Sequence, residues 1–193
     1  MMNQSMSSAC LAVAIIRPSE SLKGKKMTQY RILPAEAADL AAIVDIYNST
    51  IESRQSTADL QPTTVAARQS WFDAHGGKRP LYVLKNDQNE VLAWGSFSDY
   101  YPREAYRISA EISIYVRHDM RGVGVGKILL QHMLERAPSL GIRNILAVIF
   151  GHNHASIRLF HSFGFQEWGR LPQVCDLETF EADIVILGKR VLD

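Results

Sequence analysis

Between residues 108 and 116 apolar and polar side chains alternate, with Ile108, Ala110, Ile112, Ile114 and Val116 on one face and Ser109, Glu111, Ser113 and Tyr115 on the other. A period of two is the pattern of a strand. A polar turn at 118–120 ends it, three glycines follow at alternate positions (Gly122, Gly124 and Gly126), and then Ile128, Leu129, Met133, Leu134 and Ala137 recur at helical spacing. The middle of the chain is a strand, a glycine-rich turn and a helix.

Around that unit the same reading gives a strand at 29–33 and a helix whose apolar face is Leu40, Ile43, Val44, Ile46 and Tyr47. Residues 52–61 are polar and irregular. Pro62 stands at the start of a second helix that stops at Gly76 and Gly77. Apolar runs at 80–84 and 90–99, joined by Asn86-Asp87-Gln88-Asn89, form a hairpin, and the central strand begins near Tyr106. Gly141 closes the long helix, 143–150 is a buried strand, 153–163 a shorter helix, and 164–170 and 184–191 close the sheet. The order β-α-α-β-β-β-α-β-α-β-β predicts an α/β (α+β) domain: a mixed, mostly antiparallel twisted sheet of six to seven strands flanked by about four helices.

Composition narrows the partners. The 193 residues suit one core, and a formal net charge of +1 gives no general field towards nucleic acid or an acidic membrane. Two cysteines, Cys10 and Cys175, supply neither a disulfide framework nor a CxxC metal pair, so a reducing, cytoplasmic setting is expected. The apolar run at 9–16 is far short of the ~20 residues of a membrane span. Residues 1–26 are expected to be a weakly ordered N-terminal extension, with the domain proper at 27–193. His152 and His154 lack clustered companions, and no metal is expected.

Glycines before a helix let the backbone approach a ligand, and the helix N-terminus adds partial positive charge. With Arg117, Arg121 and Lys127 around it, this turn is expected to hold a di- or triphosphate. It is not a P-loop, because Arg121 stands where the first glycine belongs and Ile128 follows Lys127. It is not a dinucleotide fingerprint either, since Lys127 or Leu129 falls on the third glycine position. What the letters match is R-x-x-G-x-G, as Arg121, Gly124 and Gly126, after a long strand and before Asn153-His154-Ala155-Ser156 and the LFHSFGF of 159–165. This resembles the coenzyme A pyrophosphate loop of the GNAT superfamily of acyl-CoA-dependent N-acetyltransferases, and the likeness covers about residues 28–192.

The resemblance implies the GNAT fold, acetyl-CoA as co-substrate, a small-molecule primary amine as acceptor, and a homodimer. It implies cofactor contacts from Ile114, Tyr115, Val116, Arg121, Gly122, Val123, Gly124, Val125, Gly126, Lys127, Asn153 and Ser156. Transfer to an amine needs a neutral nucleophile, so a proton acceptor is required, and Glu111 on the polar face of the strand is the candidate. SAEISIYV looks like the strand of the phosphinothricin and methionine sulfoximine branch, in which a glutamate here is the general base. The branch's proton donor to the leaving thiolate would fall at Phe160, which can donate nothing; either Tyr115 or water serves, or the thiolate departs unassisted.

IYNST, RQSWF, SDYYP and LPQV extend the likeness to that branch, and in it the loop containing 54–59 helps wall the acceptor site. Two departures bear on the acceptor. Tyr100 and Tyr101, assigned to the substrate site with Glu111, replace a tryptophan and a basic residue able to hold a carboxylate. DLETFE at 176–181 replaces a lysine, glycine and tryptophan. Loss of a cation and gain of acids favour an acceptor without a carboxylate. Two other readings are a non-catalytic acyl-CoA sensor and a protein N-acetyltransferase.

Overall fold

The computed structural model describes residues 14–16 and 29–192. Apart from 14–16, the expected extension at 1–26 lies outside the described residues, as does Cys10. Eight strands form one sheet: β1 (Ala14–Ile16), β2 (Tyr30–Pro34), β3 (Leu81–Lys85), β4 (Val91–Asp99), β5 (Ser109–Val116), β6 (Asn144–Phe150), β7 (Gln166–Asp176) and β8 (Glu181–Arg190). The helices are α1 (Leu40–Asn48), α2 (Val65–Asp73), α3 (Val125–Arg136) and α4 (His154–His161). From β2 onward the element order is the one the sequence predicts, and β1 adds an antiparallel edge strand within the expected extension.

The strand order is β1-β2-β3-β4-β5-β6-β8-β7, antiparallel throughout except that β5 and β6 run parallel. Both faces of the sheet are covered. On one, Val125, Leu129, Leu130 and Met133 of α3 and Phe160 of α4 pack on Ile112, Ile145 and Ile149. On the other, Ile43, Ile46 and Tyr47 of α1 pack on Leu81, Val83, Val91 and Trp94, with Trp71 and Phe72 of α2 at the margin. The period-two alternation therefore sends Ile112, Ile114 and Val116 towards α3 and Glu111, Ser113 and Tyr115 towards α1 and α2.

Several boundaries differ from expectation for local reasons. The central strand starts at Ser109 because Glu104–Tyr106 is a turn of 3₁₀ helix. The second helix is capped by Thr64, whose hydroxyl accepts from the Ala67 amide, rather than begun by Pro62. The closing strands are longer than 164–170 and 184–191. β7 is an edge strand exposed along most of its length and bulged near Gly169 and between Leu171 and Cys175, so no apolar alternation announces it.

One feature of the sheet creates the site. β5 and β6 pair only through Ser109↔Asn144, Ala110↔Ile145 and Glu111↔Leu146, while β5 stays paired with β4 as far as Val116. Beyond Glu111 the two parallel strands part.

Candidate active site

The parting of β5 and β6 opens a cleft of about 250 Å³. Its floor is β5 from Glu111 to Tyr115 and β6 from Ala147 to Phe150; residues 55–58 roof it, and Asn153, Ser156 and Phe160 of the α4 region close one side. Glu111 sits at the vertex, in the last residue pair before the strands separate. Its carboxyl group has no hydrogen-bond or ion-pair partner among the described residues, and burial pushes its pKa above the usual carboxylate range. A carboxylate that is half-buried and uncommitted is suited to accept a proton.

Past the end of β5 the chain makes the glycine turn. Gly122 (φ +77°) and Gly124 (φ +94°) are left-handed, a conformation costly for a side chain, and Gly124 caps α3. At Gly126 a Cβ would stand 3.3 Å from Val116 Cγ2 and 3.6 Å from Leu159 Cδ2, so α3 begins in close contact with the strand end. Arg121, Gly122, Val123, Gly124 and Lys127 are exposed, whereas Val125 is buried beneath them as the anchor of the turn. Arg121 and Lys127 have no carboxylate partner among the described residues. Arg117, expected beside them, is committed instead to Asp119 (2.7 Å) and Glu90 (3.7 Å). An exposed turn with amides at a helix start and two uncommitted cations fits the phosphates of an acyl-CoA.

The roof is held by side chains from all around. His152 Nε2 donates to the carbonyl of Arg54 (2.8 Å), Asn153 Nδ2 to that of Gln55 (2.7 Å), and the Tyr115 hydroxyl to that of Ser56 (3.2 Å), so three successive carbonyls are taken by three separate groups. The Tyr47 hydroxyl donates to Asp59 (2.6 Å) and lies 2.6 Å from Thr57 Oγ1, and Arg68 joins Asp59 at 3.1 Å. Arg54 reaches Glu178 in the β7–β8 turn at 2.6 Å.

Of the expected site residues, Glu111, Ile114, Tyr115, Asn153 and Ser156 line the cleft, and Val116 leads out of it to the glycine turn. Asn153 also caps α4 by accepting from the Ser156 amide (3.1 Å), so its carboxamide serves the protein at both ends. Tyr115 stacks on Trp94 (4.4 Å between ring centres); burial, then the neighbouring Tyr47, push its hydroxyl pKa well up. Tyr100 and Tyr101 are not brought to the cleft. They form an aromatic cluster beyond the end of β4 with Tyr106, in which Tyr101 and Tyr106 are exposed and Tyr100 half-buried. Cys175 is half-buried against the cluster of Phe150 and Leu177 and is not among the residues that line the cleft. His152 is spent on stacking with Phe150 and on the roof, and among the described residues no three metal-ligating side chains cluster. Val148 and Ile184 line the cleft with no sequence signal, since apolar residues in strands read as core.

Residues 41–165 match the acetyltransferase (GNAT) family. The chain is 48% identical over 157 residues (81% of it and 96% of the relative) to YwnH of Bacillus subtilis, which carries a provisional phosphinothricin acetyltransferase name. It is 40% identical over 144 residues to the L-methionine sulfoximine/L-methionine sulfone acetyltransferase of Pseudomonas paraeruginosa, covering 74% of this chain and 84% of that one. A GNAT superfamily phosphinothricin acetyltransferase from Sinorhizobium meliloti, solved in complex with AcCoA, superposes with a TM-score of 0.79 at 29% identity, over 83% of this chain and 88% of that one. With strands that part at an uncommitted glutamate and a glycine turn leading into α3, the chain belongs to the acetyltransferase (GNAT) family and is an acetyltransferase.

Proposed function

We propose that this protein is an N-acetyltransferase that moves the acetyl group of acetyl-CoA to the primary amine of a small molecule, by direct attack in a ternary complex. The observation that carries the reading is Glu111, half-buried and unpaired at the vertex of a cleft floored by β5, the strand that runs on towards the glycine turn. The co-substrate, when bound, supplies the thioester. The amides at 121–126 with Arg121 and Lys127 hold its phosphates, and the strand edge at 114–116 binds its extended arm in the manner of a neighbouring strand.

Glu111 takes the proton that the amine must lose, and its raised pKa brings it nearer to the amine's own. Phe160 is buried and donates nothing, and the Tyr115 hydroxyl is directed at Ser56, so the departing thiolate is protonated by water. No covalent acyl-enzyme is needed.

The relatives' names point to amino-acid analogues such as methionine sulfoximine and phosphinothricin as the first acceptors to test. Homodimer pairing and a cytoplasmic setting belong to the same reading. β7 supports the first, as an exposed edge strand bearing Trp168, Leu171 and Val174, and light scattering of the full chain checks it. Among the described residues no helix is long and apolar enough to cross a membrane.

The test is thermal stabilisation by acetyl-CoA followed by a thiol-release screen over amino acids, their analogues and amines. Release with at least one small amine is expected; stabilisation without release for any acceptor favours the second reading, an acyl-CoA sensor, which the buried Phe160 at the donor position motivates. Absence of stabilisation defeats both.

A further inference from the structure

The turn between β7 and β8, within the DLETFE of 176–181, takes no part in the chemistry proposed above, yet it fastens the roof of the cleft. Glu178 Oε2 lies 2.6 Å from Arg54 Nη2. Two residues on, the Phe180 ring meets His152 edge-on at 5.2 Å, and the same imidazole stacks on Phe150 and donates to the Arg54 carbonyl at 2.8 Å. Leu177 is buried with Phe150 and Ala182, and Leu60 packs against that cluster. The turn is itself braced, by the Leu177 amide on the Phe180 carbonyl (3.0 Å) and the Glu178 amide on Asp176 (2.8 Å).

Arg54 is where these contacts converge. Its carbonyl is held by His152, its Nη1 donates to the Leu60 carbonyl at 3.1 Å, and its Nη2 meets Glu178, so one side chain ties the two ends of 54–60 together and to the turn. Both partners of the ion pair are left-handed, Arg54 at φ +51° and Glu178 at φ +70°, a conformation that side-chain-bearing residues seldom take and that persists where surrounding contacts hold it. The residues between, 55–58, line the cleft opposite Glu111. With side chains 22% and 55% exposed, the pair lies within reach of dissolved salt.

We propose that Glu178 is a positioning residue for the acceptor: through Arg54 it fixes 55–58 over Glu111, so the β7–β8 turn sets how well an amine is held beneath the roof. The inference rests on the acetyltransferase reading of the cleft.

The test uses the full chain with acetyl-CoA and L-methionine sulfone or, if that is not turned over, the fastest amine of the thiol-release screen. Glu178→Gln keeps the shape and removes the charge. Its acceptor KM is expected to rise ~5-fold, with kcat and the acetyl-CoA KM changed less than ~2-fold and the melting temperature unmoved, as suits a partly exposed pair. The difference from wild type is expected to narrow as sodium chloride rises from about 0.05 to about 0.5 M. Exchanging the charges, Arg54→Glu with Glu178→Arg, is expected to improve the acceptor KM at least ~3-fold over Arg54→Glu alone, a rescue that lost packing would not give. Without ligand, hydrogen exchange of the amides at 55–58 is expected to quicken in Glu178→Gln.

An unchanged acceptor KM in Glu178→Gln, or no rescue by the exchanged pair, overturns the inference and leaves the acetyltransferase reading intact. So does a lowered melting temperature with equal losses in both KM values, which would make the pair a matter of stability alone. Thiol release by the wild type with no amine of the screen defeats the reading and the inference with it.

Discussion

Two loops flank the cleft and they are built in opposite ways. The turn at 121–126 is shaped by its backbone, through left-handed Gly122 and Gly124 and the start of α3, while its side chains are exposed and its cations Arg121 and Lys127 are left uncommitted. The roof at 51–62 has almost no regular structure. It is fixed by side chains from β5, α1, α2, the β6–α4 junction and the β7–β8 turn. On the proposed reading, a phosphate ligand common to a large family is met by a standard backbone device, and an acceptor particular to one enzyme by a surface assembled from many distant residues.

The vertex that both loops serve is the most sensitive point. Glu111→Gln keeps the shape and removes the base, so thiol release is expected to fall by ~10²-fold or more with acetyl-CoA binding retained. In the wild type a carboxyl with a raised pKa must be ionised to act, so kcat/KM falls as pH drops through that raised value, and this acid limb disappears in the variant. Stability runs the other way. A group whose folded pKa is raised contributes its stabilisation below the unfolded value and loses it as pH rises through the folded one. Glutamine carries no such penalty, so the variant's melting temperature relative to wild type is expected to climb as pH rises from the ordinary carboxylate value through the raised folded one, as scanning calorimetry at several pH values would reveal.

Next in size is the backbone loop. Gly124→Ala forces a side chain into the left-handed region at the N-terminus of α3, costing about 1–2 kcal/mol there, and is expected to raise the KM for acetyl-CoA by ~10-fold while the KM for the acceptor changes little. The roof should answer in the opposite sense. Tyr115→Phe removes the hydrogen bond to Ser56 while keeping the stack on Trp94, at about 1 kcal/mol of stability; the acceptor KM is expected to rise more than that of acetyl-CoA, with kcat reduced less than ~10-fold. A larger fall in kcat alone would make Tyr115 the proton donor and remove water from that role. Smallest are Arg121→Ala and Lys127→Ala, each expected to weaken acetyl-CoA a few-fold, more at low ionic strength, with melting temperature unchanged.

The same contrast explains what could be read from the letters. Alternation at 108–116, the glycines and the face of α1 are local patterns, and they place β5, the glycine turn, α3 and the strand position of Glu111. The roof was legible only as a polar stretch, because its geometry depends on pairs such as Arg54 with Glu178 and Tyr115 with Ser56, which lie 124 and 59 residues apart along the chain. Arg117 looked like a third phosphate ligand until Asp119 and Glu90 were seen to hold it. Likeness to a family pattern assigns Tyr100 and Tyr101 to the acceptor, and in the structure they are not among the residues that line the cleft. Val148 and Ile184 could not be recognised, since nothing local distinguishes an apolar residue packed in a core from one facing a gap between strands.

That gap has a mechanical meaning. A sheet whose middle strands separate after three pairs has left room for one more extended chain, and a slender amide-bearing molecule lying along residues 113–116 would finish the ladder that the polypeptide leaves open. Each catalytic cycle then zips and unzips the architecture itself, and the exchange of backbone amide hydrogens along that strand should slow and quicken in step with turnover.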